Sequence, residues 1–293
     1  MELKFRANAK INLFLDILGK LPNGFHSLFM LMQSVSLYDE VSVKDNNLGE
    51  IRLTCSEKAL PTDRKNIAYK AAEVFFEYTG IENQGVDIHI EKNIPFEAGL
   101  AGGSADAAGV IVALNKLFKT DLSEHELHTI GLKIGSDVPF CISGGTMLSQ
   151  NTGGVLSTLP NLKDCFVVLA KPASGVSTAR AYSDFDSAGY IYRPNNMNML
   201  AAAADGDFDS ICKLACNVFE QTIEVPERVE IKQHMNDFDC SLTQMSGSGP
   251  TVFGLFLDEE KATACYEKLK SSKLCKSVHL AHTAKQGVEE ITK

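Results

Sequence analysis

The stretch IPFEAGLAGGSADAAGVIVALN, residues 94–115, decides how the first half of the chain folds. Small residues fill its middle, since between Ala98 and Ser104 only Leu100 carries a large side chain. A regular apolar run follows, which predicts a helix over 104–118 with Ser104 as its N-cap. A chain gives up side chains in this way where its backbone turns tightly or where another group must approach it closely.

A strand, a glycine-rich turn and a helix N-terminus together form a binding site for anions. Free N–H groups and the positive end of the helix dipole converge there, and the missing side chains let phosphate oxygens reach the backbone. The pattern is neither the GxxxxGK[ST] of a Walker A loop nor the GxGxxG of a dinucleotide-binding fold. A tight connection packed closely on its neighbours remains the alternative to a phosphate site.

Strand and helix patterns are interspersed along the whole chain, which favours an α+β protein with two domains. In the first half the patterns predict strands over 10–18, 39–45, 51–55 and 86–92, and helices over 66–80, 104–118 and 123–135. In the second half they predict strands over 164–172, 251–257 and 276–283, and helices over 200–220 and 259–272. A glycine-rich stretch separates the halves, so we expect one domain over 1–155 and another over 156–293.

Composition narrows the class of protein. The formal charge of −9, from 37 acidic and 28 basic residues, disfavours general binding to nucleic acid. No stretch approaches the ~20 apolar residues of a membrane-spanning helix, and Lys10 and Asn12 interrupt any signal-peptide core near the start. The 8 cysteines show no CxxC pair or zinc-ligand spacing, so we expect reduced thiols and a cytoplasmic protein.

Other polar and small residues are ambiguous when each is taken alone. Lys10 and Asn12 lie two apart in an apolar strand and therefore share a face. Asp137 and His26 each stand beside glycine or proline and are also typical of turns or packed positions. The segment SGSGPTVFGLF (246–256) is a second small-residue turn, and two such turns in one chain could close on opposite ends of a polyphosphate.

Together these segments resemble the GHMP kinases, a family of small-molecule kinases. They occur in the family's order over nearly the whole chain, as AKINLFLDILGKLPNGFHSL, NIAYKAA, IPFEAGLAGGSADAAGVIVALN, GSDVPFCISGGT, KPASGVSTARAY and SGSGPTVF. The resemblance implies an N-terminal domain similar to ribosomal protein S5 domain 2 and a ferredoxin-like C-terminal domain. The chain contains AKINLFL followed by glycine-aromatic-histidine, and in this pair of motifs it resembles those members of the family that act on a cytidylyl-diphosphate sugar alcohol.

The resemblance also implies an activity, the transfer of the γ-phosphoryl group of ATP, with Mg²⁺, to a hydroxyl of that substrate. Lys10 and Asp137 match the residues that flank the accepting hydroxyl, and Asp137 would accept its proton. Residues matched to ATP binding are Pro95, Phe96, Glu97, Ala98, Gly99, Leu100, Ala101, Gly102, Gly103, Ser104 and Ala105 around the phosphates, with Asn66 and Lys92 on the adenosine side. Residues matched to substrate binding are Asn12, Phe25, His26 and Tyr182, with Phe25 and Tyr182 enclosing the cytosine. The metal ligands are not assigned.

Three residues depart from what a phosphate site favours. Ala101 stands where the family usually has glycine, so we expect this residue to have a negative φ. Ala105 replaces a second serine, which leaves Ser104 as the hydroxyl beside the phosphates. Glu97 is acidic inside the loop and is expected to point to solvent. Two alternatives stay open: a GHMP kinase of mevalonate or homoserine type, and a non-catalytic nucleotide-binding regulator with this fold.

Overall fold

The computed structural model of the chain describes residues 2–82 and 85–292. Its strands are β1 (Glu2–Lys20), β2 (His26–Asp45), β3 (Ile51–Cys55), β4 (Val86–Glu91), β5 (Thr146–Asn151), β6 (Val155–Thr158), β7 (Phe166–Pro172), β8 (Cys216–Asn217), β9 (Leu242–Met245), β10 (Val252–Phe256), β11 (Cys275–Ala284) and β12 (Val288–Glu290). Its helices are α1 (Ile67–Thr79), α2 (Gly102–Leu117), α3 (Glu124–Leu132), α4 (Val138–Ser143), α5 (Thr178–Ser187), α6 (Asn196–Asp205), α7 (Phe208–Leu214), α8 (Arg228–Asp237) and α9 (Glu259–Ser271), with a 3₁₀ turn at Val218–Gln221.

A long antiparallel hairpin of β1 and β2 forms the centre of the N-terminal half. The two strands predicted there lie inside longer ones, of 19 residues in β1 and 20 residues in β2. Residues 7–17 of β1 are all buried. Because successive side chains of a strand point to opposite faces, this part of β1 is covered on both sides and forms the middle of the core.

Helix α2 lies against β1 and β2 and is held close to them by small residues. A Cβ atom on Gly109 would stand 2.9 Å from a methyl carbon of Val41, so a larger residue here would push the helix outward. The buried alanines 105, 107 and 108 serve the same close approach. The N-terminus of α2 is thereby fixed over one end of the hairpin.

The C-terminal half has the ferredoxin-like arrangement that the family resemblance implied. Strands β7, β9, β10 and β11, with α8 and α9, follow the order βαββαβ, and they pair antiparallel as β11-β7-β10-β9. A separate apolar cluster lies between α8, α9 and this sheet, with Ile231, Met235, Phe256, Cys265 and Leu269 at its centre. The α+β fold class is therefore confirmed.

The two halves are joined through one sheet. Strand β11 pairs with β7 on one side and, through Thr283 and Ala284, with β2 on the other. The predicted boundary between 155 and 156 falls within β6, whose partner β5 belongs to the first half, and it stays a prediction. None of the helices in residues 2–82 and 85–292 is both long enough and apolar enough to cross a bilayer.

Candidate active site

A cleft with a volume of about 1390 Å³ lies between the loop before α2, the turn of the β1–β2 hairpin and α5. It brings together the residues assigned to ATP, substrate and catalysis. Ala105 is the exception, because its side chain is fully buried inside α2. The predicted residues that line the cleft are Lys10, Asn12, Phe25, His26, Asn66, Lys92, Pro95, Phe96, Glu97, Ala98, Gly99, Leu100, Ala101, Gly102, Gly103, Ser104, Asp137 and Tyr182.

Residues 92–101, here called the phosphate loop, connect β4 to α2 and are fixed where they begin. The carboxylate of Asp39 accepts hydrogen bonds from the backbone N–H groups of Asn93, at 2.6 Å, and Ile94, at 2.8 Å. The ammonium of Lys92 binds Asp39, at 2.5 Å, and Asp106 on α2, at 2.7 Å. These three buried side chains tie the start of the loop to the helix that follows it.

The Lys92–Asp39–Asp106 cluster places two carboxylates around one ammonium. Burial, together with the negative charge of Asp39, raises the pKa of Asp106 well above its ordinary value against the opposing effect of Lys92. One oxygen of Asp106 is buried without a hydrogen-bond partner among the described residues. Lys92 does face the cleft, but its charge is already compensated by these carboxylates, so it offers little net attraction to a nucleotide.

The middle of the phosphate loop is held against the second small-residue turn. Gly99 has a φ of 74°, and its Cα faces the backbone of Ser246 and Gly249 so closely that a Cβ would collide with the Ser246 carbonyl. The hydroxyl of Ser246 donates to the Gly99 carbonyl at 2.9 Å. The two turns therefore lie side by side, and not at opposite ends of a polyphosphate as the sequence suggested.

The start of α2 differs from the prediction in two respects. The helix begins at Gly102, its N-cap is Ala101, and Ser104 lies inside the first turn, so the predicted N-cap is wrong. The expectation of a negative φ at Ala101 is also wrong, because its φ is 58°. The left-handed conformation lets the Ala101 carbonyl accept from the N–H of Ala105 at 2.9 Å. Gly102, Gly103 and Ser104 of the first turn line the cleft, and the first N–H groups of a helix have no acceptor within the helix.

Glu97 precedes this region and has a φ of 50°. Its side chain is exposed, as expected for an acidic residue that must not face a phosphate. Asn66, which the resemblance placed on the adenosine side, caps α1 by accepting from the N–H of Ala68 at 2.9 Å. Its amide also donates to the Pro61 carbonyl at 2.8 Å, so this side chain is occupied by its own loop.

Lys10 and Asp137 meet at the centre of the cleft. The ammonium of Lys10 is almost completely buried and lies 4.0 Å from the Asp137 carboxylate. It donates to Asn12 at 2.7 Å and to the Gly99 carbonyl at 2.9 Å, so one side chain contacts both the proposed base and the phosphate loop. Asp137 stands at the N-cap of α4 but makes no capping hydrogen bond, which leaves its carboxylate, 34% exposed, available to a ligand.

The far end of the cleft is aromatic. The rings of His26 and Tyr182 stack at 4.6 Å between centroids, whereas Phe25 is 62% exposed and does not pair with Tyr182. Burial, with a smaller effect of the Asp137 charge, raises the pKa of Tyr182 to about 12, so its hydroxyl stays protonated. This end therefore offers one free aromatic face at Phe25 beside an aromatic pair.

Asp186 was not singled out from the sequence. Its carboxylate binds the Nε2 atom of His26 at 2.6 Å and the ammonium of Lys20 at 2.7 Å. Hydrogen bonds from Lys20 and His26 lower the pKa of Asp186 below its ordinary value. The signal that could have found it is its position four residues after Tyr182, on the same face of α5.

Comparison with known proteins agrees with this geometry. The family model for the GHMP kinases N terminal domain matches residues 66–145, and the model for GHMP kinases C terminal matches residues 199–274. A homoserine kinase from Cytophaga hutchinsonii has the same fold, with a TM-score of 0.80 at 20% identity over 99% of this chain and 97% of that one. The chain belongs to the GHMP kinases.

Curated relatives define the narrower family. The 4-diphosphocytidyl-2-C-methyl-D-erythritol kinase of Clostridium beijerinckii is 44% identical over 96% of this chain and 100% of its own length. That of Alkaliphilus metalliredigens is 39% identical over 96% and 97% of the two chains. A crystal structure of a 4-(cytidine 5'-diphospho)-2C-methyl-D-erythritol kinase gives a TM-score of 0.79 at 29% identity, over 97% of this chain and 99% of that one. Within the GHMP kinases, the chain belongs to the 4-diphosphocytidyl-2-C-methyl-D-erythritol kinase family.

Proposed function

We propose that the protein transfers the γ-phosphoryl group of ATP to the 2-hydroxyl of 4-diphosphocytidyl-2-C-methyl-D-erythritol, in isoprenoid precursor synthesis. The observation that carries the proposal is the position of Lys10. Its ammonium donates a hydrogen bond to the Gly99 carbonyl and lies 4.0 Å from the Asp137 carboxylate. An acid–base pair thus lies directly beside a loop that is shaped for phosphate. The names of the relatives with 39–44% identity supply the substrate.

The chemistry of phosphoryl transfer asks mainly for positioning and charge stabilisation. In the proposed reaction the alcohol oxygen attacks the γ-phosphorus, and the Asp137 carboxylate accepts the proton of the alcohol. The bond between the γ-phosphorus and the oxygen that bridges to the β-phosphate breaks, and ADP leaves. The buried ammonium of Lys10 offsets the negative charge that develops between the two substrates. Asn12 binds Lys10 and fixes the direction of its side chain.

ATP is the phosphoryl donor in this proposal, and its phosphates bind at the start of α2. The first helical turn, which includes Gly102 and Gly103, lines the cleft, and its free N–H groups carry the positive end of the helix dipole.

Mg²⁺ is the expected cofactor, and the residues present fit it. Among the described residues, no group of three or more histidine, cysteine or acidic side chains could hold a metal by itself. Magnesium usually binds one or two protein oxygens together with substrate phosphates, so a complete protein cage is not required. The exposed oxygens of Asp137 and the hydroxyl of Ser104 are the groups that would hold it, and it would neutralise the phosphates.

The cytidylyl end of the substrate is proposed to bind at Phe25, His26 and Tyr182. The exposed ring of Phe25 would cover the base, while the stacked pair of His26 and Tyr182 forms the opposite wall. Small-molecule substrates, and not nucleic acid, agree with the formal charge of −9. The eight free cysteines support a reducing compartment, and we propose the cytoplasm.

The catalytic assignment is tested with Asp137→Ala and Lys10→Ala. Each variant is expected to lower kcat by ~10² or more, the scale of a positioned acid–base or electrostatic group, with ATP affinity nearly unchanged. Product formation is measured with the cytidylyl substrate, mevalonate and homoserine in parallel. Asp205→Ala and Lys213→Ala, exposed residues of α6 and α7, are the matched controls.

Two results would contradict the proposal. Near-normal turnover in both variants would remove Lys10 and Asp137 from the chemistry. Transfer by the wild-type protein to mevalonate or homoserine, without transfer to the cytidylyl substrate, would move the protein to another type of GHMP kinase.

A further inference from the structure

A buried lysine outside the cleft contacts the phosphate loop from the other half of the molecule. Lys171 lies on β7 of the ferredoxin-like sheet and is 8% exposed. Its ammonium donates a hydrogen bond of 2.9 Å to the backbone carbonyl of Phe96 and lies 5.3 Å from the centre of the Phe96 ring. A charged group is seldom buried unless its hydrogen bonds are satisfied, so this contact is a specific one.

The surroundings of Lys171 disfavour its charged form, so the hydrogen bond to the Phe96 carbonyl is needed to stabilise the ammonium. Burial and the nearby charge of Lys276 lower the pKa of Lys171, and the carboxylate of Glu97 acts in the opposite direction. Lys276 lies where the ladder between β11 and β7 shifts register, and its ammonium stands 5.6 Å from the same Phe96 ring. Both ammonium groups therefore lie near the Phe96 ring. Of these two described lysines, only Lys171 donates a hydrogen bond to the loop.

The contact falls at a part of the phosphate loop that nothing else described here fixes. The start of the loop is held by Asp39, which binds the N–H groups of Asn93 and Ile94. Its later part is held at Ala98 by the N–H of Thr251, at 3.3 Å, and at Gly99 by the hydroxyl of Ser246. Phe96 lies between these anchors and directly precedes Glu97, whose φ of 50° turns the chain toward Gly99.

We infer that Lys171 is a positioning residue for ATP: it holds the Phe96–Glu97 turn so that the following residues present their N–H groups to the phosphates. This inference rests on the proposed function, because it takes the loop to be the binding site of the ATP phosphates. Lys171 does not itself line the cleft, and its action passes through the backbone of the loop.

The test compares Lys171→Met, which removes the donor, with Lys171→Arg, which keeps a cationic donor. Binding of AMP-PNP with magnesium is measured by calorimetry, and amide exchange of residues 96–101 by mass spectrometry. Lys171→Met is expected to raise the Kd of AMP-PNP about tenfold, the equivalent of one hydrogen bond to a charged group, and to speed exchange in the loop. Lys171→Arg is expected to bring the Kd of AMP-PNP and the exchange rate of the loop most of the way back to the wild-type values. KM for the cytidylyl substrate is expected to stay within twofold of the wild type in each variant.

Lys276→Met is the matched control, because it removes the other cation beside Phe96 without removing a hydrogen bond to the loop. It is expected to leave the Kd of AMP-PNP within twofold of the wild type. An equal loss in Lys276→Met and Lys171→Met would overturn the inference in favour of a general charge effect. Unchanged binding and exchange in Lys171→Met would overturn it as well, and so would a loss of affinity for both substrates in parallel.

Two further arms keep the result interpretable. If Lys171→Met does not fold, Lys171→Leu, which also lacks a donor, replaces it and the same outcomes apply. The proposed function fails separately: a wild-type protein that does not phosphorylate the cytidylyl substrate, but whose AMP-PNP binding responds to Lys171→Met, would remove the substrate assignment and leave the role of Lys171 standing.

Discussion

Gly99 has two independent reasons to be glycine. Its φ of 74° is one that residues with a side chain rarely adopt, and the Ser246 carbonyl occupies the place of a Cβ. The sequence indicated that the backbone here must be approached closely. It did not reveal that the approaching group belongs to the second half of the chain.

Alanine substitutions at Gly99 and Gly80 separate the effect of the positive φ from that of the contact with Ser246. Gly99→Ala is expected to lower the free energy of unfolding by about 2–4 kcal/mol, the sum of a left-handed alanine and an overpacked contact. Gly80→Ala is the control, because Gly80 has a φ of 65° with open space around it. It should cost only the conformational part, about 1–2 kcal/mol. Urea unfolding measures both, and equal losses would show that the contact with Ser246 is unimportant.

Among the helices and strands, the sequence predicted helix ends that are determined by residues close to them in the chain. Helix α3 begins after a capping box of Ser123 and Glu126, and α1 ends at Gly80 in a left-handed conformation, close to the starts and ends of the predicted helices over 123–135 and 66–80. Both signals act within a few residues of the chain.

The predictions that failed depend on distant contacts. Much of β2, from His26 to Tyr38, was not predicted as a strand because most of it is buried on both faces and shows no alternation. Ser104 was predicted as the N-cap because the sequence does not show that Ala101 adopts a positive φ. The residues of the cleft were found through their resemblance to a family, whereas Asp39, Asp106 and Asp186 became visible only when the fold brought them to their partners.

The Lys92–Asp39–Asp106 cluster, which ties the start of the phosphate loop to α2, predicts that the stability of the protein depends on pH. In the folded protein the pKa of Asp106 is raised, so the folded state binds this proton more tightly than the unfolded state does. The resulting stabilisation is complete below the unfolded pKa and is lost as pH rises through the folded pKa. Asp106→Asn, which mimics the protonated form, should therefore match the wild type at low pH and become relatively more stable as pH rises.

The measurement is the free energy of unfolding of both proteins at a series of pH values from about 4 upward. Asp209→Asn on α7 is the control, since this carboxylate lies outside the cluster, and its difference from the wild type is expected to change little. A gap between Asp106→Asn and the wild type that stays constant or narrows with pH would contradict the pKa direction of Asp106.

The larger of the two apolar clusters extends across both halves of the molecule. A single apolar cluster contains Ile11 and Leu114 from the first half together with Phe219 and Phe253 from the second. The amide of Gln244 on β9 also donates to the backbone carbonyls of Asn12, at 3.0 Å, and Leu13, at 3.2 Å. The family resemblance implied the ferredoxin-like half, but the pairing of β11 with β2 has no signature in the sequence.

This shared core predicts cooperative unfolding. Urea denaturation followed by circular dichroism and by tyrosine fluorescence should give coincident transitions. AMP-PNP at about 100 times its Kd should add about 2.7 kcal/mol to the free energy of unfolding, because its binding loop needs both halves to be folded. Two separate transitions, with only one shifted by the nucleotide, would show that the halves fold independently.

Three hydrogen bonds from the second half end on backbone carbonyls of the phosphate loop. Lys171 binds the carbonyl of Phe96, Ser246 binds that of Gly99, and the N–H of Thr251 binds that of Ala98. Carbonyl groups are common to every residue type, so residues of the loop other than Gly99 can vary without loss of these hydrogen bonds. In hybrids between related genes joined near residue 155, the first half would accept a foreign second half only if it carries the lysine and the serine and also completes the shared apolar cluster.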